Sequence, residues 1–184
     1  MRVNTWIALV IVLLAQTGVL GWMVVERVQH LKTGREIVLN TIPVDPRSLF
    51  RGDYVILNYD ISRVPRGAGE TVRNGDVRYV TLEEKQPGSW SVVAVGSVVP
   101  ETSGPGQIVL RGTVVNTWTG DAGATMDLHY GIESYFVPEG EGGVLETKVR
   151  GNALKVIVAV NDSGKAAIKG LILDGLVRYD EPLL

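Results

Sequence analysis

Two hydrophobic periods divide the chain. Residues 6–25, WIALVIVLLAQTGVLGWMVV, carry no charge. At helical rise they span about 30 Å, the thickness of a bilayer's hydrocarbon core. Trp6 and Trp22 stand near the two ends, where amphipathic rings favour the membrane–water interface. ERVQHLKTG follows, and Val24 at the end of the run falls at helical spacing with Val28 and Leu31. Gly34 then supplies a C-terminal stop, so the span should continue into a short stalk. From Arg35 onward the period becomes two, the mark of strands with one buried face.

The alternation predicts a succession of strands. EIVLNTIPV ends near Pro43 and Pro46. YVILNYDIS places Val55, Leu57, Tyr59 and Ile61 on one side and Tyr54, Ile56, Asn58 and Asp60 on the other. DVRYVTLEE separates Val77, Tyr79 and Thr81 from Arg78, Val80 and Leu82. SWSVVAVGSVV and QIVLRGTVVNTW follow, divided by the turn PETSGPG. TMDLHYGIESYFVP reads as extended up to Pro138. EGEGGVLETKVRG admits a short helix, because Leu145 and Val149 are four apart; a strand over 144–149 is the rival. NALKVIVAV, the turn NDSGK and AAIKGLILDG predict a C-terminal hairpin, and the tail offers an edge strand. Seven or eight alternating strands with one short helix indicate a mainly β, antiparallel sandwich or barrel-like domain. The organisation is an anchor and stalk over 1–34 and a β-rich domain over 35–184.

A cleaved signal peptide is the rival reading of the N-terminus. Such apolar regions run roughly 7–15 residues and end at a small-x-small site. This run is longer, and AQTGVLGW makes a poor site, so an uncleaved anchor is expected. Arg2 precedes the span, whereas Arg27, Lys32 and Arg35 follow it. That charge bias opposes export, yet long domains translocate largely regardless of it. The expected location is therefore the inner (cytoplasmic) membrane, single-pass, with the domain periplasmic or otherwise extracytoplasmic.

Charge and composition narrow the chemistry. The chain has 184 residues, a formal net charge of −2 and no cysteine. Disulfides, thiolate metal sites and a cysteine nucleophile are excluded. There is no basic patch with interleaved aromatics, so no nucleic-acid partner is expected. PEGEGG lacks the lysine and hydroxyl residue of a phosphate-binding loop. The sequence RGD at Arg51–Asp53 leads straight into a strand, so Gly52 reads as the permissive residue of a turn or bulge. Asp53 and Asp60 are seven apart. On an unbroken strand they lie on opposite faces, roughly 23 Å apart.

One polar constellation stands out. Asp127, His129 and Glu133 share strand parity, which would align a carboxylate, an imidazole and a second carboxylate for a divalent metal or acid–base work. Gly131 between them is placed to bulge the strand and disturb that parity. A polar sheet face is the plainer reading, with no cofactor and no metal. IPVDPRSLFRGDYVIL faintly resembles the nucleophile segment of type I signal peptidases. The nucleophile position falls on Val44, with Ser48 displaced and no matching lysine segment, so the required pair is missing.

Gly52, Asp53, Tyr54, Leu57 and Tyr59 spell G-D-Y-x-x-L-x-Y. This resembles the signature of the GDYXXLXY family of membrane-anchored bacterial proteins. VDPRSLFRGDYVILNYDIS, YGIESYFVPEGEG and GKAAIKGLILDG resemble further segments of that family, in the same order. The resemblance implies a single-span cell-envelope protein whose relatives stand beside, or are fused to, polytopic membrane proteins. It implies a polytopic membrane partner rather than a substrate, and it supplies motif positions without catalytic roles. The expected function is a non-enzymatic domain that binds or supports such a partner. The alternatives are an envelope hydrolase, using Asp127, His129 and Glu133 or Asp53 with Arg47 and Arg51, and a small-ligand binding module.

Overall fold

The computed structural model describes residues 5–42, 54–67, 69–100, 104–120, 123–137 and 154–180. The expected short helix over 139–151 lies outside the described residues, as do Gly52, Asp53, Arg47 and Arg51. One helix, α1 (Thr5–Thr33), is followed by twelve strands among the described residues. These are β1 (Arg35–Ile42), β2 (Tyr54–Ile56), β3 (Asn58–Tyr59), β4 (Arg63–Pro65), β5 (Val77–Gln86) and β6 (Ser89–Gly96). Then come β7 (Gln107–Gly120), β8 (Gly123–His129), β9 (Ser134–Phe136), β10 (Leu154–Val160), β11 (Ala166–Leu173) and β12 (Leu176–Asp180).

Among the described residues all strand pairings are antiparallel. One five-stranded sheet has the order β12-β11-β10-β1-β3, and a second has β4-β8-β7-β5-β6. A two-stranded ribbon, β2-β9, stands beside them. The two large sheets bury their apolar faces in one cluster. Leu39, Val156 and Leu171 come from the first, and Val80, Leu110 and Leu128 from the second. The mainly β, antiparallel reading therefore holds.

Strand alternation was a good guide to the buried face and a poorer guide to continuity. Val55, Leu57, Tyr59 and Ile61 are all buried, as their parity predicts. The strand itself is broken at Leu57. Its N–H donates to the Glu133 carbonyl (2.8 Å), while β2 pairs with β9 and β3 pairs with β1. TMDLHYGIESYFVP is likewise two strands, because Gly131 takes φ +82° between β8 and β9. These breaks raise the strand count above the expected seven or eight. On β5, Arg78, Val80 and Leu82 face inward, and Thr81 is buried as well. The C-terminal hairpin forms as expected, with Asn161 Oδ1 accepting from the Ser163 and Lys165 N–H groups in its turn. The tail adds β12 at the sheet edge.

Helix α1 is long and apolar enough to cross a membrane, and none of its apolar window is buried inside the protein. The expected stalk is docked rather than free. Leu31 is buried with Ala159 and Ala167, and the His30 ring meets the Ala159 carbonyl (3.2 Å). Gly34 ends the helix for a steric reason. A Cβ there would lie 2.7 Å from the His30 carbonyl oxygen and 3.1 Å from Val160 N. Helix α1 thus passes into β1 through a single residue held against β10.

Candidate functional site

The signature segment is a junction between sheets. Within residues 54–65 the chain pairs successively with β9, β1 and β8. Such a path needs tight turns whose polar groups are satisfied internally. Two turns meet here, residues 59–62 and 130–133. The Tyr59 hydroxyl donates to the Ile132 carbonyl (2.6 Å), and the Tyr130 hydroxyl donates to the Ile61 carbonyl (2.7 Å). Each tyrosine leaves one turn and closes on the other. Ser62 completes the first turn, its N–H donating to the Tyr59 carbonyl and its Oγ accepting from Tyr59 N–H. Glu133 completes the second, its carboxylate accepting from Tyr130 N–H (2.5 Å) and Gly131 N–H (3.0 Å).

Electrostatics follow from that burial. Tyr59 is pushed well above the usual phenol range by burial and then by the nearby Glu133 carboxylate. Tyr130 is raised for the same two reasons, with Asp60 adding to them. Both phenols therefore remain protonated donors across the physiological range.

A cleft of about 430 Å³ opens beside this junction. Asn58, Asp60, Arg63, Asn116, Asp127, His129 and Glu133 contribute to its wall, with Leu57 and Tyr59 of the signature. Asp60 is exposed on the cleft wall. Partial desolvation by its neighbours raises its carboxyl, opposed by hydrogen bonds from the Asn40 side chain and backbone N–H groups. Asp127 shifts the opposite way. Arg63 holds it through two hydrogen bonds (2.7 and 3.2 Å), and Trp118 Nε1 adds a third (2.7 Å). Arg63 lowers the Asp127 carboxyl against the opposing effect of burial, with Trp118 and His129 assisting. The Arg63 guanidinium also lies 5.7 Å from the Trp118 ring centroid, within cation–π range.

Asp127, His129 and Glu133 thus border one cleft, but not through shared strand parity. Asp127 and His129 belong to β8, whereas Glu133 lies past Gly131 in the turn and caps it. Asp127 is occupied by Arg63 and Trp118. Among the described residues, no group of three or more His, Asp or Glu is placed to hold a metal ion. Of the signature positions, Leu57 and Tyr59 are buried in the core, while Tyr54 stands opposite Phe136 in the ribbon register.

Sequence reasoning missed Tyr130, Ser62, Arg63 and Trp118. A signal was available for one pair. Asn58-Tyr59-Asp60-Ile61 and Tyr130-Gly131-Ile132-Glu133 both join a tyrosine to turn-forming residues. Nothing local announced that the two turns would face each other.

A family model described as GDYXXLXY protein matches residues 16–171. The chain belongs to the GDYXXLXY family. The matched region runs from the middle of α1 through nearly all of β11. The GDYXXLXY signature is consequently part of a larger matched unit that includes the helix junction, the whole of the second large sheet and the first large sheet up to β11. No curated protein and no solved structure matches the chain.

Proposed function

We propose that this protein is a membrane-anchored, extracytoplasmic β domain that binds or supports a polytopic membrane protein, without catalysis of its own. The observation carrying this reading is the condition of α1. Its apolar window is wholly exposed, while its last turn is clamped to the domain by Leu31, His30 and Gly34. An exposed apolar helix of this length needs lipid or other helices around it. Clamping at one end turns it into a bracket, so the domain takes up a fixed attitude to whatever the helix binds.

The middle of α1 has features that suit helix association. The Thr17 hydroxyl donates to the Leu13 carbonyl (2.9 Å), which satisfies it within the helix. Thr17 and Gly21 are four apart and share a face, and a Cβ at Gly21 would meet nothing within 4 Å. Small residues at that spacing allow close backbone approach between membrane helices. Gln16 adds an exposed amide, a group that gains from a partner in hydrocarbon.

The test is purification of the full chain from native membranes in mild detergent after crosslinking. Recovery of one multispanning protein, lost in Gly21→Leu and Gln16→Leu, supports the reading. Recovery of the chain alone from gentle extraction overturns it.

A further inference from the structure

We propose that the β2–β9 ribbon is the membrane-contacting edge of the domain, with Phe136 seated in the lipid headgroup layer beside α1. The inference rests on the reading of α1 as a membrane-spanning anchor and adds the domain's attitude to the bilayer.

Depth along the helix sets the level of the domain. The uncharged span ends at Val25, and Glu26 and Arg27 open the charged stretch. In an apolar span that fills the hydrocarbon layer, Arg27 marks headgroup level. Trp22 stands five residues earlier and is 73% exposed. That is about 7.5 Å along the axis. An aromatic ring and an arginine at that spacing form a boundary between hydrocarbon and water.

Arg27 shares a crevice of about 240 Å³ with Tyr135 and Phe136 of β9 and Gly131 of the preceding turn. Strand β9 is therefore level with Arg27. The match is fixed rather than incidental, because Leu31 and Gly34 lock the same helix against β10 and β11 one turn further on. On β9, Tyr135 turns inward and Phe136 outward. Phe136 is 78% exposed, more than any other large hydrophobic side chain among the described residues. A phenyl ring so exposed loses favourable burial in water and gains it at the acyl–headgroup boundary. Lipid is the occupant the observations favour, because the crevice is continuous with a helix that has just left hydrocarbon. The register also places Tyr54, the first tyrosine of the signature, on this same ribbon.

The chain has no cysteine, so single-cysteine labelling is clean. Phe136→Cys, Val19→Cys and Thr117→Cys would each carry a nitroxide in the full chain, reconstituted alone in nanodiscs of phosphatidylcholine and phosphatidylglycerol. Electron paramagnetic resonance would then compare collision with oxygen and with a nickel chelate. Val19 lies mid-span and Thr117 on an exposed stretch of β7. The expected result is a Phe136 label several-fold less accessible to nickel than the Thr117 label, yet shallower than Val19. A Phe136 label as open to nickel as Thr117, with Val19 protected, overturns the proposal and leaves the anchor standing. A nickel-accessible Val19 overturns both. Protection of Phe136 from oxygen and nickel alike indicates a protein contact and also overturns the lipid assignment.

Discussion

Tyr59 and Tyr130 hold each other's turns. Tyr59 reaches the carbonyl of Ile132, two residues after Tyr130, and Tyr130 reaches the carbonyl of Ile61, two residues after Tyr59. The last tyrosine of the family signature is thus half of a reciprocal tie between segments 71 residues apart. Its ring fills the core, and its hydroxyl satisfies a carbonyl that would otherwise be buried without a donor.

Removing either hydroxyl should destabilise the domain. Tyr59→Phe and Tyr130→Phe each leave a buried carbonyl unpaired, at about 1–3 kcal/mol. Because both bonds join the same two turns, the double variant should depart from additivity by about 0.5 kcal/mol or more. Chemical denaturation of the four proteins measures this; strict additivity would show that the turns act independently. The raised phenol pKa also has a sign. Its stabilising contribution is complete below the ordinary phenol value of 10.0 and is lost as pH rises through the folded value. Tyr59→Phe should flatten the alkaline limb of a stability profile.

Two aspartates on the cleft wall should respond oppositely to pH. The Asp127 pKa is lowered from 3.8. Its contribution is present above the unfolded value and is lost as pH falls through the folded one. Asp127→Asn should lower the melting temperature near neutrality and weaken the acid limb. The effect should be modest, because the Arg63 side of the pair is largely exposed and solvent screens it. The Asp60 pKa is raised from 3.8. Its contribution is present below the unfolded value and is lost as pH rises through the folded one. Asp60→Asn should therefore remove a stability loss that develops above about pH 4. Melting curves across the acid range would refute the assignment if both variants shifted in the same direction.

Gly34 should be intolerant of a side chain. Alanine there sets Cβ against backbone atoms of His30 and Val160, and overpacking of this kind costs about 1–3 kcal/mol. The strain should release the helix end before it unfolds the sheets. Trypsin cleavage at Arg27, Lys32 or Arg35 in detergent should accelerate about tenfold, as expected for ~1.4 kcal/mol. Leu31→Ala should do the same by emptying the small cluster with Ala159 and Ala167. Unchanged cleavage in both variants would mean that the docking does not hold the junction.

Gly164 and Gly88 form a matched pair. Both take positive φ, +78° and +75°. At Gly164 a Cβ also meets the Val109 carbonyl oxygen and Arg111 N at 3.1 Å, whereas Gly88 has open space. Gly88→Ala should cost about 1 kcal/mol through conformation alone. Gly164→Ala should cost more, because it also separates the β10–β11 turn from β7, where Arg111 N–H donates to the Gly164 carbonyl (2.7 Å). Equal midpoints in guanidinium would remove the steric component.

The sequence by itself determined the N-terminal apolar helix, the period change at Arg35, the buried faces of the strands and the family. These are local properties. Twenty uncharged residues, two-residue alternation and a short signature can be read without knowing what lies across the fold. The tertiary structure decided what the local pattern left open. Alternation gives the same burial for Val55, Leu57, Tyr59 and Ile61 whether the strand is whole or broken, so the break at Leu57 was invisible until Glu133 supplied the carbonyl that takes its N–H. Parity joined Glu133 to Asp127 and His129, but Gly131 and the pairing of β9 with β2 moved it into a turn. The docking of the stalk was not legible because its contacts, Ala159 and Ala167, lie more than a hundred residues away. Long-range pairing selects among arrangements that local periodicity treats as equal, and here it selected the tyrosine tie, the cleft and the attitude of the helix.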